Sequence, residues 1–186
     1  LDKTDMDHIL GCFLADEDRA EFFRAKHADL VFAGPQARYR VHFAYGHSGP
    51  YAAVRRISNE IRQLQTLGLP DPVARNLVGL RNGLLIVAGT TDAGKTVTCT
   101  SLLDHYNRTK EGAILTLEDP IEYIFDDYKS IVFQREVGMH VESFGNGIRS
   151  AMRENLDVIF VGEMRDIDTM EQVLRAAEMG HLVITT

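Results

Sequence analysis

Cysteine is scarce in this chain of 186 residues: only Cys12 and Cys99 occur, far apart and with no Cys-x-x-Cys spacing. That excludes a disulfide scaffold and a zinc ribbon, and it fits a reducing, cytosolic setting. Positive charge is also in the minority, with 20 Lys and Arg against 27 Asp and Glu and a net charge of −7. A general electrostatic grip on nucleic acid or on an anionic membrane is therefore not expected. No apolar run approaches the ~20 residues of a membrane helix, so no direct membrane insertion is expected. The first residues, LDKTDMDHILG, lack the basic-then-apolar pattern of a signal peptide. Internal repeats and low-complexity segments are absent too. The chain begins without Met and stops at LVITT inside a predicted strand, so it is expected to be a fragment.

What is present is the composition of a globular protein with ample core, 45% hydrophobic and 25% charged, long enough for one large domain or two small ones. Apolar residues at helical spacing predict helices over Asp5–Leu14 and Asp16–Lys26, each with an Asp placed as N-cap. Strands follow at Ala28–Ala33, Arg38–Tyr45 and Tyr51–Ile57. In the second, Tyr39, Val41, Phe43 and Tyr45 share one face and Arg38, Arg40 and His42 the other. Residues 1–62 thus read as a small α+β module, and 63–72, ending in LGLPDP, as a linker. Beyond it the pattern changes. Apolar blocks at 84–89, 113–117, 130–133, 157–162 and 181–186 alternate with amphipathic stretches at 95–106, 144–154 and 168–179. Strands apolar throughout and separated by helices predict an α/β unit over 73–186, a mostly parallel sheet covered on both faces.

GTTDAGKT, Gly89 to Thr96, satisfies GxxxxGK(S/T) and lies where its chemistry requires, directly after a predicted strand and before a predicted helix. There the backbone N–H groups and the positive helix end can cradle phosphate oxygens, with Lys95 reaching the β and γ phosphates and the Thr96 hydroxyl meeting Mg²⁺. Asp92 is unusual, because its carboxylate stands close to a polyphosphate unless it points to solvent; Asp does tolerate positive φ. LDVIFVGE (156–163) delivers Glu163 at the C-terminal end of a strand, placed to polarise a water against a γ phosphate. TLEDPIEY (116–123) brings Glu118 and Asp119 to another strand end, either to serve Mg²⁺ or water, or as plain turn chemistry. His181 is one of seven histidines without ligand spacing. Arg40, Arg55, Arg149 and Arg153 are candidates for an arginine supplied across a subunit boundary, against the simpler reading of solvated faces.

Taken in order, GTTDAGKT, ILTLEDPIEY, QREVG, GEMRD and GHLVITT resemble the secretion-superfamily ATPases. QREVG and GEMRD resemble most the branch that retracts type IV pili, since the assembly and type II secretion branch tends to read GEIRD. The resemblance implies a RecA-like P-loop core behind a PAS-like N-terminal domain, assembled as a homohexamer that hydrolyses ATP with Mg²⁺. It implies a cytoplasmic motor, peripheral at the inner membrane through a platform protein of the pilus or secretion machine. By the same resemblance, Gly89, Thr90, Thr91, Asp92, Ala93, Gly94, Lys95 and Thr96 form the Walker A loop, and Glu118 and Asp119 the Asp box, with Thr96 and Asp119 toward Mg²⁺. Glu163 becomes the Walker B glutamate and His181 the first histidine of the His box, while Arg40 and Arg55 match N-terminal-domain arginines that approach nucleotide at subunit junctions. The family's loop reads GPTGSGKS, so Thr90, Asp92 and Ala93 depart from it. The alternative function is a nucleotide-binding regulatory or weakly active subunit. A nucleic-acid motor is disfavoured by the acidic charge.

Overall fold

The computed structural model describes residues 11–12, 22–34, 37–58 and 60–186. Most of the helices expected over Asp5–Leu14 and Asp16–Lys26 lies outside them, residues 11–12 and 22–25 being helical. The chain divides into two compact units, Leu1–Asn59 and Glu60–Thr186.

In the first unit, β1 (His27–Ala33), β2 (Arg38–Gly46) and β3 (Gly49–Ile57) form an antiparallel sheet in that order. Gly46 pairs with Gly49, so only His47 and Ser48 turn the hairpin, a length that suits tight hairpin geometry. The alternation expected in β2 is realised: Val41 and Phe43 are buried with Phe22, and Ala28, Leu30, Tyr39 and Tyr45 pack around them. The opposite face carries Arg40 directly beside Arg55 on β3. Asp29 on β1 offsets part of that like-charge contact, with its carboxylate 3.0 Å from His42 Nδ1 and 3.8 Å from Arg40 Nε.

The second unit opens with a 3-10 turn, Leu64–Leu67, and helix α1, Asp71–Gly79. The expected linker is therefore part of this unit. Leu64 is only 4% exposed, and Pro72 falls in the first turn of α1, where its missing N–H costs nothing. The turn-rich composition concealed both features. There follow β4 (Gly83–Ile86), α2 (Lys95–Thr109), β5 (Gly112–Glu118), β6 (Ser130–Glu136), α3 (Phe144–Ala151), β7 (Val158–Val161), α4 (Ile167–Glu178) and β8 (Leu182–Thr185). The five strands are all parallel, in the order β4-β8-β7-β5-β6.

β4, β5, β7 and β8 each feed two cores because neighbouring residues point to opposite faces, while the edge strand β6 adds only Val132 to one of them. Ile114, Val158, Phe160, Leu182 and Ile184 meet Cys99 and Leu103 of α2. Leu115, Leu117, Ile159, Val161 and Val183 meet Ile148 and Ala151 of α3 and Val173 and Ala176 of α4. This explains the apolar blocks read from the sequence. Burial pushes the Cys99 thiol up to about 12, so it packs as a small apolar group. The α3 contact is close: a Cβ on Gly147 would stand 2.7 Å from Leu117 Cδ2, and Leu117 is fully buried.

Gly147→Ala is therefore expected to destabilise the second unit by about 1–2 kcal/mol, because overpacking outweighs the ~1 kcal/mol that alanine adds to a helix. Urea denaturation followed by circular dichroism checks this, and a stabilised variant would contradict the packing.

Candidate functional site: a phosphate-binding loop and acids on one sheet edge

All five strands are parallel, so their C-terminal ends share one edge. There the chain places the loop after β4, Thr186 after β8, Glu163 after β7, Glu118 at the end of β5 and Glu136 at the end of β6. At ~4.8 Å between neighbouring strands, the loop strand lies roughly 10 Å from β7 and 14 Å from β5. Consecutive strands β4 and β5 are separated by β8 and β7, which makes this edge a topological switch point where ligands bind.

The loop closes on itself. Lys95 Nζ donates to the carbonyls of Gly89 (3.0 Å) and Thr90 (2.9 Å), and Ala93 N–H donates to Thr90 O (3.2 Å). Asp92 and Gly94 have φ of 61° and 90°, which glycine takes without strain and aspartate tolerates. Asp92 is exposed. Gly94 is the N-cap of α2 and has no side chain to offer. By contrast, Ser143 accepts the Asn146 N–H to cap α3, and Asp166 accepts from both Thr169 N–H and its hydroxyl to cap α4. Of these three helices, α2 alone keeps its first-turn N–H groups for an external acceptor. Donors, a lysine and the first-turn hydroxyl of Thr96 fit a polyphosphate.

Glu163 follows Gly162 off β7, and its Oε1 lies 2.9 Å from Arg165 Nε. Gly162 N–H donates to Leu117 O (2.8 Å) and Gly162 O accepts from the Thr186 hydroxyl (2.8 Å). A Cβ at 162 would come within 3.3 Å of Leu117 O and 3.6 Å of Glu118 Cα. A side chain at 162 would therefore crowd the neighbouring strand's backbone. Glu118 is 4% exposed and shares the α2 side of the sheet with Ile114 and Thr116. Its Oε1 accepts from the Thr116 hydroxyl (2.7 Å) and from Gln134 Nε2 (3.2 Å). Desolvation by burial nevertheless pushes its carboxyl up to about 7, against those hydrogen bonds and one from the Glu122 backbone. Asp119, next along, is exposed. Among the described residues no group of three or more His, Cys, Asp or Glu could hold a metal ion. A magnesium ion fits here as one shared between a bound phosphate chain and one or two side chains such as Thr96 and Asp119.

Other candidates lie elsewhere. His181 precedes β8 at the opposite, N-terminal edge, with Nδ1 2.7 Å from Leu156 O, about 13 Å along the strand from the site edge. It is not brought to the loop. Arg149 donates to Asp168 (2.7 Å) and ties α3 to α4, while Arg153 lies beyond α3. Arg40 and Arg55 belong to the first unit. Residues the sequence reading passed over are Thr116, Gln134, Glu136 and Arg165. No local pattern in SIVFQRE picks out Gln134 and Glu136; the register of β6 beside β5 does.

This fold and site define a RecA-like core with a phosphate-binding loop, the architecture of P-loop nucleotide-binding proteins. Over residues 28–186 the chain matches the family described as type II/IV secretion system protein. It belongs to that family. It is 40% identical over its full length to the type IV pilus retraction ATPase PilT of Pseudomonas aeruginosa, covering 54% of that protein. It is 37% identical to the uncharacterized protein YggR of Escherichia coli, again over its full length and 57% of the relative. A crystal structure of the pilus retraction motor PilT with bound ADP superimposes with a TM-score of 0.91 at 43% identity, over 98% of this chain and 53% of that one. The ATPase DotB of Legionella pneumophila gives 0.84 at 27% identity, over 100% and 54%. The chain spans about half the length of the curated relatives it matches. None of the described helices is long and apolar enough to cross a membrane.

The raised Glu118 carboxyl has a thermodynamic consequence. The fold favours its protonated form, so that stabilisation is fully present below its ordinary value of 4.5 and is lost as pH rises through about 7. In nucleotide-free, magnesium-free protein, thermal stability of the second unit is expected to decline from pH 5 to pH 8. Glu118→Gln, neutral throughout, should remove part of that decline, on the order of 3 kcal/mol at most. Parallel melting curves at the two pH values check the difference.

Proposed function

We propose that the protein containing this chain is an ATP-hydrolysing motor of a type IV pilus or related secretion machine, with pilus retraction as its work. The observation that carries this is the placement of the self-closed loop, Glu163 and Glu118 on one sheet edge, in a chain 40% identical to a pilus retraction ATPase and superimposable on an ADP-bound one. Lys95 and the free N–H groups of α2 hold the β and γ phosphates. Glu163 receives a proton from, and orients, the water that attacks the γ phosphorus. Glu118, backed by the adjacent strand, supports the same water or the ion's hydration shell. Magnesium would supply charge neutralisation between the phosphate oxygens, with Thr96 and Asp119 toward it. The acids on this edge and a polyphosphate repel one another, and a divalent cation relieves that repulsion.

The working form is proposed as a homohexamer, with Arg40 and Arg55 stabilising phosphate charge in a neighbouring copy. It acts on an inner-membrane platform protein from the cytoplasmic side. The exposed carboxylate of Asp92 motivates a second reading, a regulatory or weakly active subunit.

In the full-length assembled protein, Lys95→Ala should lower ATP turnover by at least about 100-fold, and Glu163→Gln by about 100- to 10,000-fold with ATP still bound. Phosphate release and nucleotide-binding assays on both variants decide it; turnover surviving both changes removes the assignment. Asp92→Gly should improve ATP binding by less than about tenfold, because an exposed carboxylate is screened by water. A larger gain, read by isothermal titration, favours the second reading.

A further inference from the structure

The QREVG segment spans the end of β6 and the two residues after it, and the side chains of its first and third residues turn toward the 119–125 segment. Gln134 uses its amide on three partners: Nε2 donates to Glu118 Oε1 (3.2 Å) and to Tyr123 O (2.8 Å), and Oε1 accepts from Phe125 N–H (2.9 Å). Only this orientation satisfies all three, since the flipped amide would set its NH₂ against an N–H and its oxygen against a carbonyl. Two residues on, Glu136 Oε2 accepts from Ile121 N–H (3.0 Å), and Val137 N–H donates to Glu118 O (2.9 Å). Residues 118, 121, 123 and 125 are thus fastened to a single strand. The anchoring is buried: Phe125 and Ile121 are 8% exposed, and Glu118 is 4%. Thr116 adds the shorter bond to the same carboxylate oxygen (2.7 Å).

We propose that Gln134 is a positioning residue for the reaction, acting with Thr116: both donors converge on Oε1 of Glu118 and hold its carboxylate in one orientation at the strand end. The inference rests on the ATPase reading above and assigns Gln134 and Thr116 no contact with nucleotide. A buried carboxylate held by these two donors together with the Glu122 backbone N–H keeps one rotamer, and each donor removed widens the range it samples. Because Gln134 also holds Tyr123 and Phe125, its amide couples that segment to Glu118, beside the bond from the Glu122 backbone.

The test uses the full-length assembled protein with Thr116→Val, Gln134→Leu and Thr116→Ser, and Lys95→Ala alongside. Thr116→Val preserves shape and removes only the donor, so it stands even where Gln134→Leu, which strands two backbone groups, fails to fold. The expected result is kcat lower by about 10- to 100-fold in Thr116→Val and Gln134→Leu, with KM for ATP within about twofold of wild type. Thr116→Ser, which keeps the hydroxyl, should restore kcat to within about threefold. Wild-type kcat in folded, assembled Thr116→Val overturns the inference, as does a joint loss of kcat and KM that follows thermal stability. Loss of turnover in Lys95→Ala beside intact Thr116→Val and Gln134→Leu overturns this inference alone. Turnover surviving Lys95→Ala removes the ATPase reading, and the positioning role goes with it.

Discussion

A parallel sheet buried on both faces leaves its strands nowhere to put charge except their ends. The inner residues of β5, β7 and β8 are buried almost without exception, and every parallel strand points its C-terminus the same way. Ionisable groups that cannot be tolerated between α2 and the α3–α4 layer therefore sit at the strand ends, and all the C-terminal ends share one edge. Glu118, Glu163 and the loop following β4 gather there because the strands are parallel.

Two features of that edge depend on small residues. Gly94 leaves the start of α2 uncapped, whereas the polar residues Ser143 and Asp166 close the starts of α3 and α4. Gly162 lets β7 run close beside the Leu117–Glu118 backbone, where a side chain would meet Leu117 O and Glu118 Cα. In one case the missing side chain exposes donors. In the other it allows a close approach of two strands.

The layered α/β unit was legible because most of its strands are apolar on both faces, and that pattern appears directly in LLIVAG, AILTL and DVIFVG. The loop was legible because its chemistry requires fixed residues at fixed spacing. In residues 63–72, expected as a linker, the 3-10 turn and the helix start were not legible, because burial of Leu64 is a tertiary fact that no local pattern carries and Pro72 lies in a first helical turn where proline usually suggests an end. His181 was drawn toward the chemistry by resemblance alone; its place before β8 puts it on the far edge, and only strand direction decides that. Gln134 went unremarked because a glutamine in an edge strand reads as ordinary surface. Its importance appears only when β6 is seen to lie beside Glu118 in register, residue 116 opposite 134 and 118 opposite 136.

The loop itself is organised before any phosphate arrives. An ammonium group has three donors, and Lys95 spends two on the carbonyls of Gly89 and Thr90, which draws the loop into a ring. Those carbonyls turn toward the lysine, so the N–H groups on the opposite sides of the same peptides turn away from it. A polypeptide loop that must present several N–H groups to one anion faces their mutual repulsion and the entropy of ordering them. A lysine tied to the carbonyl side meets both costs from within the chain. Incoming phosphate oxygens then compete for a cation already in place and meet donors already aligned, so binding exchanges partners on Lys95 without having to build the cradle.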